Sequence, residues 1–318
     1  ILGARAAYIG GCAGTACTLT DQLYGVPAGG TMAHSWVQMF PTEYDAFKTY
    51  CEVFPTNATL LVDTYNTLKS GIPNAIRAFN EVLKPKGITK CGIRLDSGDM
   101  AYLTRKARKM LDEAGWTECQ ISVSNSLDEY IVRDLILQGA RVDSFGIGEN
   151  MITAKSDPVF GGVYKLVAVK CPDGTYQPKM KCSDSASKAI IPGKKMPWRL
   201  YDENGQAQCD LIAMDDEVIE AGKPVTMVNL DSDAIERTVT ITPTKVKKLL
   251  VPHVLNGQLA IELPSIAEKK AYIAKQLTEE TWESELRLEC PHKHYVNMTP
   301  AVAECRSKMY AELHGGKV

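Results

Sequence analysis

An arginine and two aspartates follow a short apolar run in the segment Arg94-Leu-Asp96-Ser-Gly-Asp99. A guanidinium group binds two phosphate oxygens at once, and a carboxylate such as that of Asp96 accepts hydrogen bonds from sugar hydroxyls or holds Mg²⁺. Ser97 and Gly98 open a predicted helix, whose first backbone N–H groups are free to bind an anion. Helix capping and a surface ion pair explain the same residue types equally well. The segment therefore predicts either a phosphate and sugar site or a capped helix start.

A histidine and a further aspartate occupy comparable places in the sequence. His34 follows a glycine-rich segment, and Thr31 and Ser35 give it a polar setting suited to a base or a nucleophile. Asp63 comes directly after the apolar run Thr59–Val62, where a carboxylate either faces a ligand or caps a turn. A histidine at a helix start is often only a hydrogen-bonded structural residue. We therefore treat His34 and Asp63 as candidates whose roles depend on what lies near them.

Two glycines flank a single apolar residue in the segment Phe145-Gly146-Ile147-Gly148. This spacing lets backbone N–H groups approach an anion closely, although a plain turn after a strand has the same pattern. Barrel folds often bind phosphate with the loops of their last strands. Lys155 and Lys165 follow the glycines and could balance the charge of a phosphate, whereas most lysines are only solvated. The segment indicates a phosphate site only if other anion-binding groups converge on it.

Short apolar runs alternate with amphipathic stretches between residues 26 and 165, which is typical of repeated βα units and a parallel sheet. The carboxyl ends of parallel strands lie at one edge of a sheet, so the polar residues after these runs should converge there. The same rule adds Ser124 and Asn125, which follow the fourth run. We therefore predict an incomplete or irregular TIM-like (β/α) barrel. Its predicted strands are Val26–Gly30, Thr59–Val62, Cys91–Leu95, Gln120–Val123 and Val142–Phe145.

Two helices of this region have clear sequence signals. Apolar residues between Met100 and Ala114 repeat at spacings of three and four, and Gly115 follows as a C-cap. Ser126 with Glu129 predicts a capping box at the start of another helix, which Gly139 ends.

The second half of the chain has a different pattern, in which β-branched segments are separated by turn signals. Asp173-Gly174, Asn204-Gly205 and Asn256-Gly257 are dipeptides typical of β-hairpins. From residue 264 onward, apolar spacing predicts one long helix, a break at Pro291 and a short terminal helix. We therefore expect an α/β barrel core at 1–166, an antiparallel β-rich part at 167–262 and a helical C-terminal tail at 263–318 that packs on the barrel.

The composition excludes several classes of partner. A chain of 318 residues with 45% hydrophobic residues can bury a large core, and a formal charge of −2 gives no overall attraction to nucleic acid or to an anionic membrane. No apolar run approaches the roughly 20 residues that cross a bilayer. The ten cysteines include no C-x-x-C pair, so we expect reduced thiols and no metal held by protein ligands alone. These features predict a cytoplasmic protein with small-molecule partners.

The opening of the chain, residues 1–20, is rich in alanine and glycine. It lacks the long apolar core of a signal peptide and predicts a helix. Because the sequence starts at Ile1 with a pattern that resembles the middle of a folded unit, we expect a segment upstream of it. We also expect the β-rich part to be completed by that segment.

Five polar or glycine-rich motifs follow one another along the chain. They are Gly30-Thr-Met-Ala-His34-Ser-Trp, Leu61-Val-Asp63-Thr-Tyr65, Gly92-Ile-Arg94-Leu-Asp96-Ser-Gly-Asp99, Asp143-Ser-Phe-Gly-Ile-Gly148 and Thr153-Ala-Lys155-Ser-Asp157-Pro-Val-Phe-Gly-Gly-Val-Tyr-Lys165-Leu. In this order they resemble the nicotinate phosphoribosyltransferase family, and the likeness extends over essentially the whole chain. Five motifs in the correct order are far more specific than any one of them.

The resemblance implies an ATP-dependent enzyme of the glycosyltransferase or ligase type. Such an enzyme transfers phosphoribosyl from PRPP to nicotinic acid and forms nicotinate mononucleotide and pyrophosphate in NAD salvage. The family works through a phosphorylated histidine, and His34 matches that position. Mg²⁺ and ATP are the implied cofactors, and a homodimer is the implied assembly.

The resemblance also implies roles for the other candidates. Arg94 and Asp96 match residues that engage PRPP, and Asp63 matches a ligand-facing carboxylate. Gly146, Gly148 and Lys165 match the region that binds the monophosphate.

The sequence departs from the family in three respects. Members of the family have an N-terminal region with an arginine-rich motif and an aromatic residue that help to bind nicotinate and phosphates, and this sequence lacks it. Glu149 stands where several branches have a small residue, and we expect it to point away from phosphate or to contact a metal or hydroxyl. Asn66 replaces the usual aspartate, with little expected effect.

Other functions stay open at this point. A truncated or non-catalytic relative would bind a phosphorylated ligand, or act as a dimer partner, without turnover. A barrel aldolase or isomerase fits the fold, but no predicted strand ends in the lysine that a Schiff-base enzyme would use. Nicotinamide or quinolinate could replace nicotinic acid as the base.

Overall fold

The structure is a computed structural model that describes residues 1–159, 161–181, 190–230 and 237–313. The chain divides into two compact units, Ile1–Phe160 and Gly161–Val318. The first, unit 1, is mixed α/β, and the second, unit 2, consists mainly of antiparallel strands. The predicted three-part division at 166 and 262 stays a prediction, as does the packing of the tail on the barrel.

Unit 1 contains four strands and eight α-helices in its described residues, with short 3-10 or π turns between them. In chain order they are α1 (Leu2–Ile9), α2 (Thr18–Tyr24), α3 (His34–Gln38), α4 (Glu43–Val53), β1 (Thr59–Leu61), α5 (Ile72–Ala78), β2 (Gly92–Leu95), α6 (Met100–Glu113), β3 (Gln120–Ser124), α7 (Glu129–Leu137), β4 (Ser144–Gly146) and α8 (Glu149–Ile152).

The four strands form one parallel sheet in the order β1-β2-β3-β4. Leu61, Arg94, Ser122 and Ser144 lie side by side in register, and the hydroxyls of the two serines are 2.6 Å apart. Because side chains alternate along a strand, the residues between them face the other way. That second face is apolar and fully buried in the core, with 0% exposure at Leu60, Ile93, Leu95, Ile121 and Val123.

The predicted strand at Val26–Gly30 is wrong. This segment makes only an isolated parallel bridge between Thr15 and Ala28. Pro27 has no N–H to donate to a ladder, and Gly29 and Gly30 have no side chains to pack on a neighbouring strand. With four parallel strands in the described residues, the sheet is not shown to close, and a TIM-like barrel is not confirmed.

The two predicted helices of unit 1 are present, but one begins at a different cap. The helix α6 ends as predicted near Gly115, which has a φ of +83°. The predicted capping box at Ser126 is wrong, because the N-cap of α7 is Asp128, whose side chain accepts a hydrogen bond from the N–H of Ile131. Ser126 has a φ of +52° and lies in the turn before the helix. The opening contains α1 rather than a helix over all of residues 1–20.

Together with a short π helix and a short 3-10 helix, unit 2 contains ten strands and two α-helices in its described residues. They are β5 (Ala168–Lys170), β6 (Tyr176–Pro178), β7 (Lys195–Tyr201), β8 (Ala207–Met214), β9 (Val225–Asn229), β10 (Thr238–Ile241), β11 (Lys245–Lys248), β12 (Val254–Leu255), β13 (Gln258–Leu259), α9 (Ile266–Lys275), β14 (Val296–Met298) and α10 (Pro300–Leu313).

The three predicted hairpin turns are confirmed. Asp173-Gly174 joins β5 to β6, Asn204-Gly205 joins β7 to β8, and Asn256-Gly257 joins β12 to β13, all antiparallel pairs. The last turn has φ values of +50° and +78°, which asparagine and glycine tolerate better than other residues.

The long helix predicted from residue 264 is too long. Helix α9 ends at Lys275 and continues only as a π turn to Glu280. The strand β14 then lies between β8 and β9 in a six-stranded sheet of order β10-β9-β14-β8-β7-β11. A strand of three residues gives too little alternation to recognise in a sequence.

Two further features bear on the sequence predictions. The described helices are all too short or too polar to cross a membrane. The cysteines of the described residues are free thiols, and Cys182 lies outside those residues.

Candidate active site at the strand ends of unit 1

The carboxyl ends of the four parallel strands of unit 1 lie at one edge of the sheet, and the register of the strands determines which side chains meet there. Each strand has one residue two positions beyond the row of Leu61, Arg94, Ser122 and Ser144, so it points to the same face of the sheet as that row. These four residues are Asp63, Asp96, Ser124 and Gly146. The predicted convergence of strand ends is therefore observed within unit 1.

Arg94 connects three of the predicted residues through separate nitrogens of one guanidinium group. Its Nε donates to Ser124 Oγ at 2.7 Å, its Nη1 to Thr31 Oγ1 at 3.0 Å and its Nη2 to Asp96 Oδ1 at 2.7 Å. The side chain is 27% exposed. A guanidinium held in one orientation at a partly open edge can present its positive charge to an anion.

Asp96 is an ionised acceptor within this group. Burial raises the pKa of its carboxyl, but hydrogen bonds from Ser124 and Arg94, the positive charge of Arg94 and the proximity of His34 lower the pKa below its usual value. The Ser124 hydroxyl, which accepts from Arg94, donates in turn to Asp96 Oδ1. The Asp96 side chain is 25% exposed, so a carboxylate oxygen can face a ligand at neutral pH.

Asp63 has a different place, since its side chain is only 2% exposed. Its Oδ2 accepts from the backbone N–H of Asp96 at 2.9 Å and from Ser97 Oγ at 2.6 Å. Its Oδ1 has no hydrogen-bond partner and lies 3.9 Å from His34 Nε2. Asp63 therefore both fixes the end of β2 and directs one unpaired oxygen atom towards the histidine.

His34 begins α3, and its two ring nitrogens have different neighbours. Nδ1 lies 3.0 Å from Thr64 Oγ1, whereas Nε2 lies 3.7 Å from Asp96 Oδ2 and 3.9 Å from Asp63 Oδ1. The side chain is 40% exposed. A histidine anchored through Nδ1 leaves Nε2 for acid, base or nucleophilic work.

Thr64 is the residue of this group that the sequence reasoning missed. It lies within the motif Leu61-Val-Asp63-Thr-Tyr65, yet a threonine after a strand gives no sign that its hydroxyl contacts a histidine thirty positions earlier. Only its place beside Asp63 could have suggested a role.

The remaining predicted glycine and asparagine residues of unit 1 lie at the end of β4 or in the segments that follow β2, β3 and β4. Asn125 follows Ser124 with a φ of +88°, a conformation that non-glycine residues rarely adopt. A side chain on Gly146 would lie 3.1 Å from Ser124 Cβ, so glycine leaves room for the serine that bonds Arg94. Gly148 has open space around it, and Gly98 has a φ of +83° at the start of α6.

Two of the predicted residues are not part of these contacts. Ser35 is exposed in the first turn of α3. Lys165 belongs to unit 2, where it is exposed. Of the two positions that depart from the family, Glu149 is exposed at the start of α8, and Asn66 accepts a 2.8 Å hydrogen bond from the N–H of Lys69.

Asp63 and Asp96 suit a metal ion that binds together with a phosphate ligand better than an ion that protein side chains alone would hold. Among the described residues, no three His, Cys, Asp or Glu side chains are grouped to hold a metal. Mg²⁺ commonly uses one or two carboxylates together with waters and phosphate oxygens. The partly exposed carboxylate of Asp96 suits this use, and Asp63 Oδ1 is a second oxygen without a hydrogen bond.

Comparison with known proteins identifies relatives across the chain. A family model described as "Nicotinate phosphoribosyltransferase C-terminal domain" matches residues 194–306. A nicotinate phosphoribosyltransferase of Bacillus subtilis (strain 168) is 38% identical over 313 residues, and the match covers 98% of this chain and 62% of the relative. A nicotinate phosphoribosyltransferase of Dictyostelium discoideum is 31% identical, with 93% of this chain and 58% of the relative covered.

A solved structure agrees with these matches. The crystal structure of human nicotinic acid phosphoribosyltransferase superimposes with a TM-score of 0.76 at 26% identity, and covers 96% of this chain and 66% of that one. The chain spans about three fifths of the length of the curated relatives named above. The chain is therefore homologous to the nicotinate phosphoribosyltransferase family over almost its whole length, which confirms the resemblance carried by its motifs.

Proposed function

We propose that this chain transfers phosphoribosyl from PRPP to nicotinic acid and forms nicotinate mononucleotide and pyrophosphate in NAD salvage. The observation that carries the proposal is the convergence of His34, Asp63, Arg94 and Asp96 on one edge of the parallel sheet. The names of the homologous proteins support the same activity. Nicotinic acid is the proposed base because those relatives are named for nicotinate.

The cluster contains the charges that this reaction requires. When pyrophosphate leaves, negative charge grows on its oxygens and positive charge grows on the ribose. Arg94 supplies a fixed positive charge for the phosphates, and the ionised Asp96 supplies a negative charge or a hydrogen-bond acceptor for the ribose. Ser124 and Thr31 hold the guanidinium in place, so it needs little reorganisation during the reaction.

Mg²⁺ enters the proposal as an ion bound together with PRPP and ATP. When bound, it would neutralise part of the charge on the leaving pyrophosphate. Asp96 is the residue best placed to contact it, because its carboxylate is ionised and partly exposed. Asn125, Gly148 and the end of β4 at Gly146 are the proposed contacts of the ribose 5-phosphate.

The coupling to ATP is proposed to proceed through His34. Its Nε2 attacks the γ-phosphorus of ATP, the bond from that phosphorus to the bridging oxygen breaks, and ADP leaves with the electron pair. For Nε2 to be the nucleophile, the ring proton must reside on Nδ1, from which it can donate a hydrogen bond to Thr64 Oγ1. The phosphoryl group later passes to water. The partly exposed ring of His34 is consistent with access by a nucleotide.

We also propose that the protein works in the cytoplasm as a homodimer. Both properties are those that the resemblance of the motifs implies, and the matched relatives are named nicotinate phosphoribosyltransferases.

One experiment distinguishes the proposal from the non-catalytic alternative. The chain is incubated with PRPP, Mg²⁺ and ATP, and with nicotinic acid, nicotinamide or quinolinate in separate reactions, and the mononucleotide is detected by mass spectrometry. Product with nicotinic acid in preference to the other bases is the expected result. Binding of PRPP without any product would instead identify a non-catalytic relative. If the chain neither binds PRPP nor forms product, the proposal is overturned.

A further inference from the structure

The loop after β3 contains two consecutive residues that need an external support. Asn125 has a φ of +88° and Ser126 a φ of +52°, and residues with a side chain uncommonly adopt such positive values. Such conformations persist only where the surrounding structure holds them in place. Ser126 Oγ donates to Asn125 Oδ1 at 3.1 Å, but this bond joins two residues of the same loop and does not anchor it elsewhere.

An anchor comes from the neighbouring loop. Asn150 is the second residue of α8, which follows β4 and the Gly146-Ile147-Gly148 turn. Its Nδ2 donates to the carbonyl of Leu127 at 3.0 Å and to the carbonyl of Ser126 at 3.2 Å. One carboxamide group therefore binds two consecutive carbonyls of the loop that leaves the adjacent strand.

The anchored loop starts at a residue of the candidate active site. Ser124 is the last residue of β3, is 8% exposed, and bonds both Arg94 and Asp96. Asn125 comes directly after it and is exposed. If the two left-handed residues relaxed to ordinary φ values, the backbone of Asn125 would rotate while Ser124 stayed bonded in the sheet.

We propose that Asn150 is a positioning residue that holds the Asn125–Ser126 loop in the conformation that receives the phosphorylated substrate. The identity of that substrate, a sugar phosphate, rests on the proposed function. The contact between the two loops, made by the hydrogen bonds of Asn150 to the carbonyls of Ser126 and Leu127 and called the clamp below, does not depend on the proposed function. Asn150 acts through the loop and takes no part in the chemical steps.

The test uses the full chain with two changes at Asn150 and one matched control. Asn150→Ala removes the donor group, and Asn150→Asp replaces it with an oxygen that repels both carbonyls. Asn74→Ala is the control, because Asn74 is also a half-buried asparagine whose Nδ2 donates one bond, at 2.9 Å to Glu43 Oε2, and it lies in α5. It removes one side-chain hydrogen bond of an asparagine in the same unit that does not involve the loop.

Backbone amide hydrogen exchange tests whether Asn150 holds the loop in place. We expect the backbone amides of residues 125–128 to exchange faster in both Asn150 variants, more so in Asn150→Asp, and at the wild-type rate in Asn74→Ala. Unchanged exchange at these amides in the Asn150 variants would overturn the inference, whatever the protein binds.

Ligand binding decides the positioning role. With PRPP and Mg²⁺ as the probe in calorimetry, the dissociation constant should rise about tenfold in the Asn150 variants and stay unchanged in the control. In turnover assays, KM for PRPP should rise while kcat changes less, which a general loss of stability would not produce. Equal affinity in wild type and Asn150 variants would refute the positioning role. If the wild-type chain does not bind PRPP, the proposed function fails with that role, and the exchange data still decide the clamp.

Discussion

The carboxylate of Asp63 accepts a 2.9 Å hydrogen bond from the backbone N–H of Asp96, so one aspartate fixes the strand end that carries the other. The same oxygen accepts from the hydroxyl of Ser97 at 2.6 Å. Asp63 is almost fully buried, and Asp96 is partly exposed. The two carboxylates at the carboxyl edge of the parallel sheet therefore have different roles: Asp63 mainly fixes the backbone, and Asp96 mainly faces the solvent.

Replacement of Asp63 tests this division. Asp63→Ala leaves the N–H of Asp96 and the hydroxyl of Ser97 without their acceptor, and we expect it to lower the free energy of unfolding by about 1–3 kcal/mol. Asp63→Asn keeps a carbonyl oxygen for these donors and should lose less. Urea unfolding of the full chain, followed by circular dichroism, measures both. Equal losses in the two variants would show that the acceptor role is not what matters.

Arg94→Lys tests the fork geometry of the guanidinium. A lysine keeps the positive charge but cannot bond Ser124, Thr31 and Asp96 from fixed directions at once. We expect the affinity for PRPP to fall roughly tenfold or more. Calorimetry with PRPP and Mg²⁺ provides the measurement. Arg77→Lys is the matched control, because Arg77 pairs with Glu81 on a helix of the same unit. A similar loss in both variants would contradict a specific role of Arg94.

His34→Ala tests the proposed phosphohistidine. We expect it to abolish the transfer of radiolabel from γ-labelled ATP to the protein and to uncouple ATP hydrolysis from product formation. His292→Ala is the control, since His292 lies in unit 2 next to Tyr295 and has no assigned role. Retention of acid-labile label in His34→Ala, or its loss in both variants, would remove His34 from the proposed mechanism.

The pH dependence of unit 2 gives a test independent of catalysis. The neighbouring carboxylate of Asp210 raises the pKa of His294, burial opposes the rise, and a hydrogen bond with Glu285 adds to it. The Nε2 atom of His294 lies 3.4 Å from Asp210 Oδ1, and its Nδ1 atom lies 2.9 Å from Glu285 Oε1. A pKa raised in the folded state means that protonated His294 stabilises the fold at acidic pH. This contribution is fully present below the unfolded pKa near 6.5 and is lost as pH rises through the folded pKa.

The corresponding variant is His294→Gln. We expect the free energy of unfolding of wild type to decrease from pH 6 towards alkaline pH, and the decrease to be smaller in His294→Gln. Urea titrations across this range provide the values. His253→Gln, at an exposed histidine bonded to the carbonyl of Val251, should keep the wild-type profile. A steeper fall in His294→Gln than in wild type would have the wrong sign for this account.

Much of the strand-end cluster was predictable because it follows from a local rule. Asp63, Asp96 and Ser124 each come directly after or at the end of a short apolar run, and parallel strands bring such positions together. The contact between His34 and Thr64 was not predictable, because it depends on where α3 lies beside β1. No pattern near either residue encodes that distance.

The errors in the fold have similar causes. The segment Val26–Gly30 contains apolar residues but also a proline and two glycines, and the prediction gave the apolar residues too much weight. The strand β14 was missed because its three residues gain their stability from neighbours on both sides, β8 and β9. Hairpin turns were predicted correctly, since Asn-Gly and Asp-Gly determine their own backbone conformation.

The in-register row of Leu61, Arg94, Ser122 and Ser144 has a consequence for how this protein tolerates mutation. Side chains along a strand alternate between its two faces, so a single-residue insertion before Ile93 would move Ile93, Arg94 and Leu95 each to the opposite face. The guanidinium would then enter the hydrocarbon interior, while Ile93 and Leu95 would occupy the polar side. Insertions and deletions in β2 should therefore abolish folding and ligand recognition together, whereas the loops that follow the strands can change in length without this penalty.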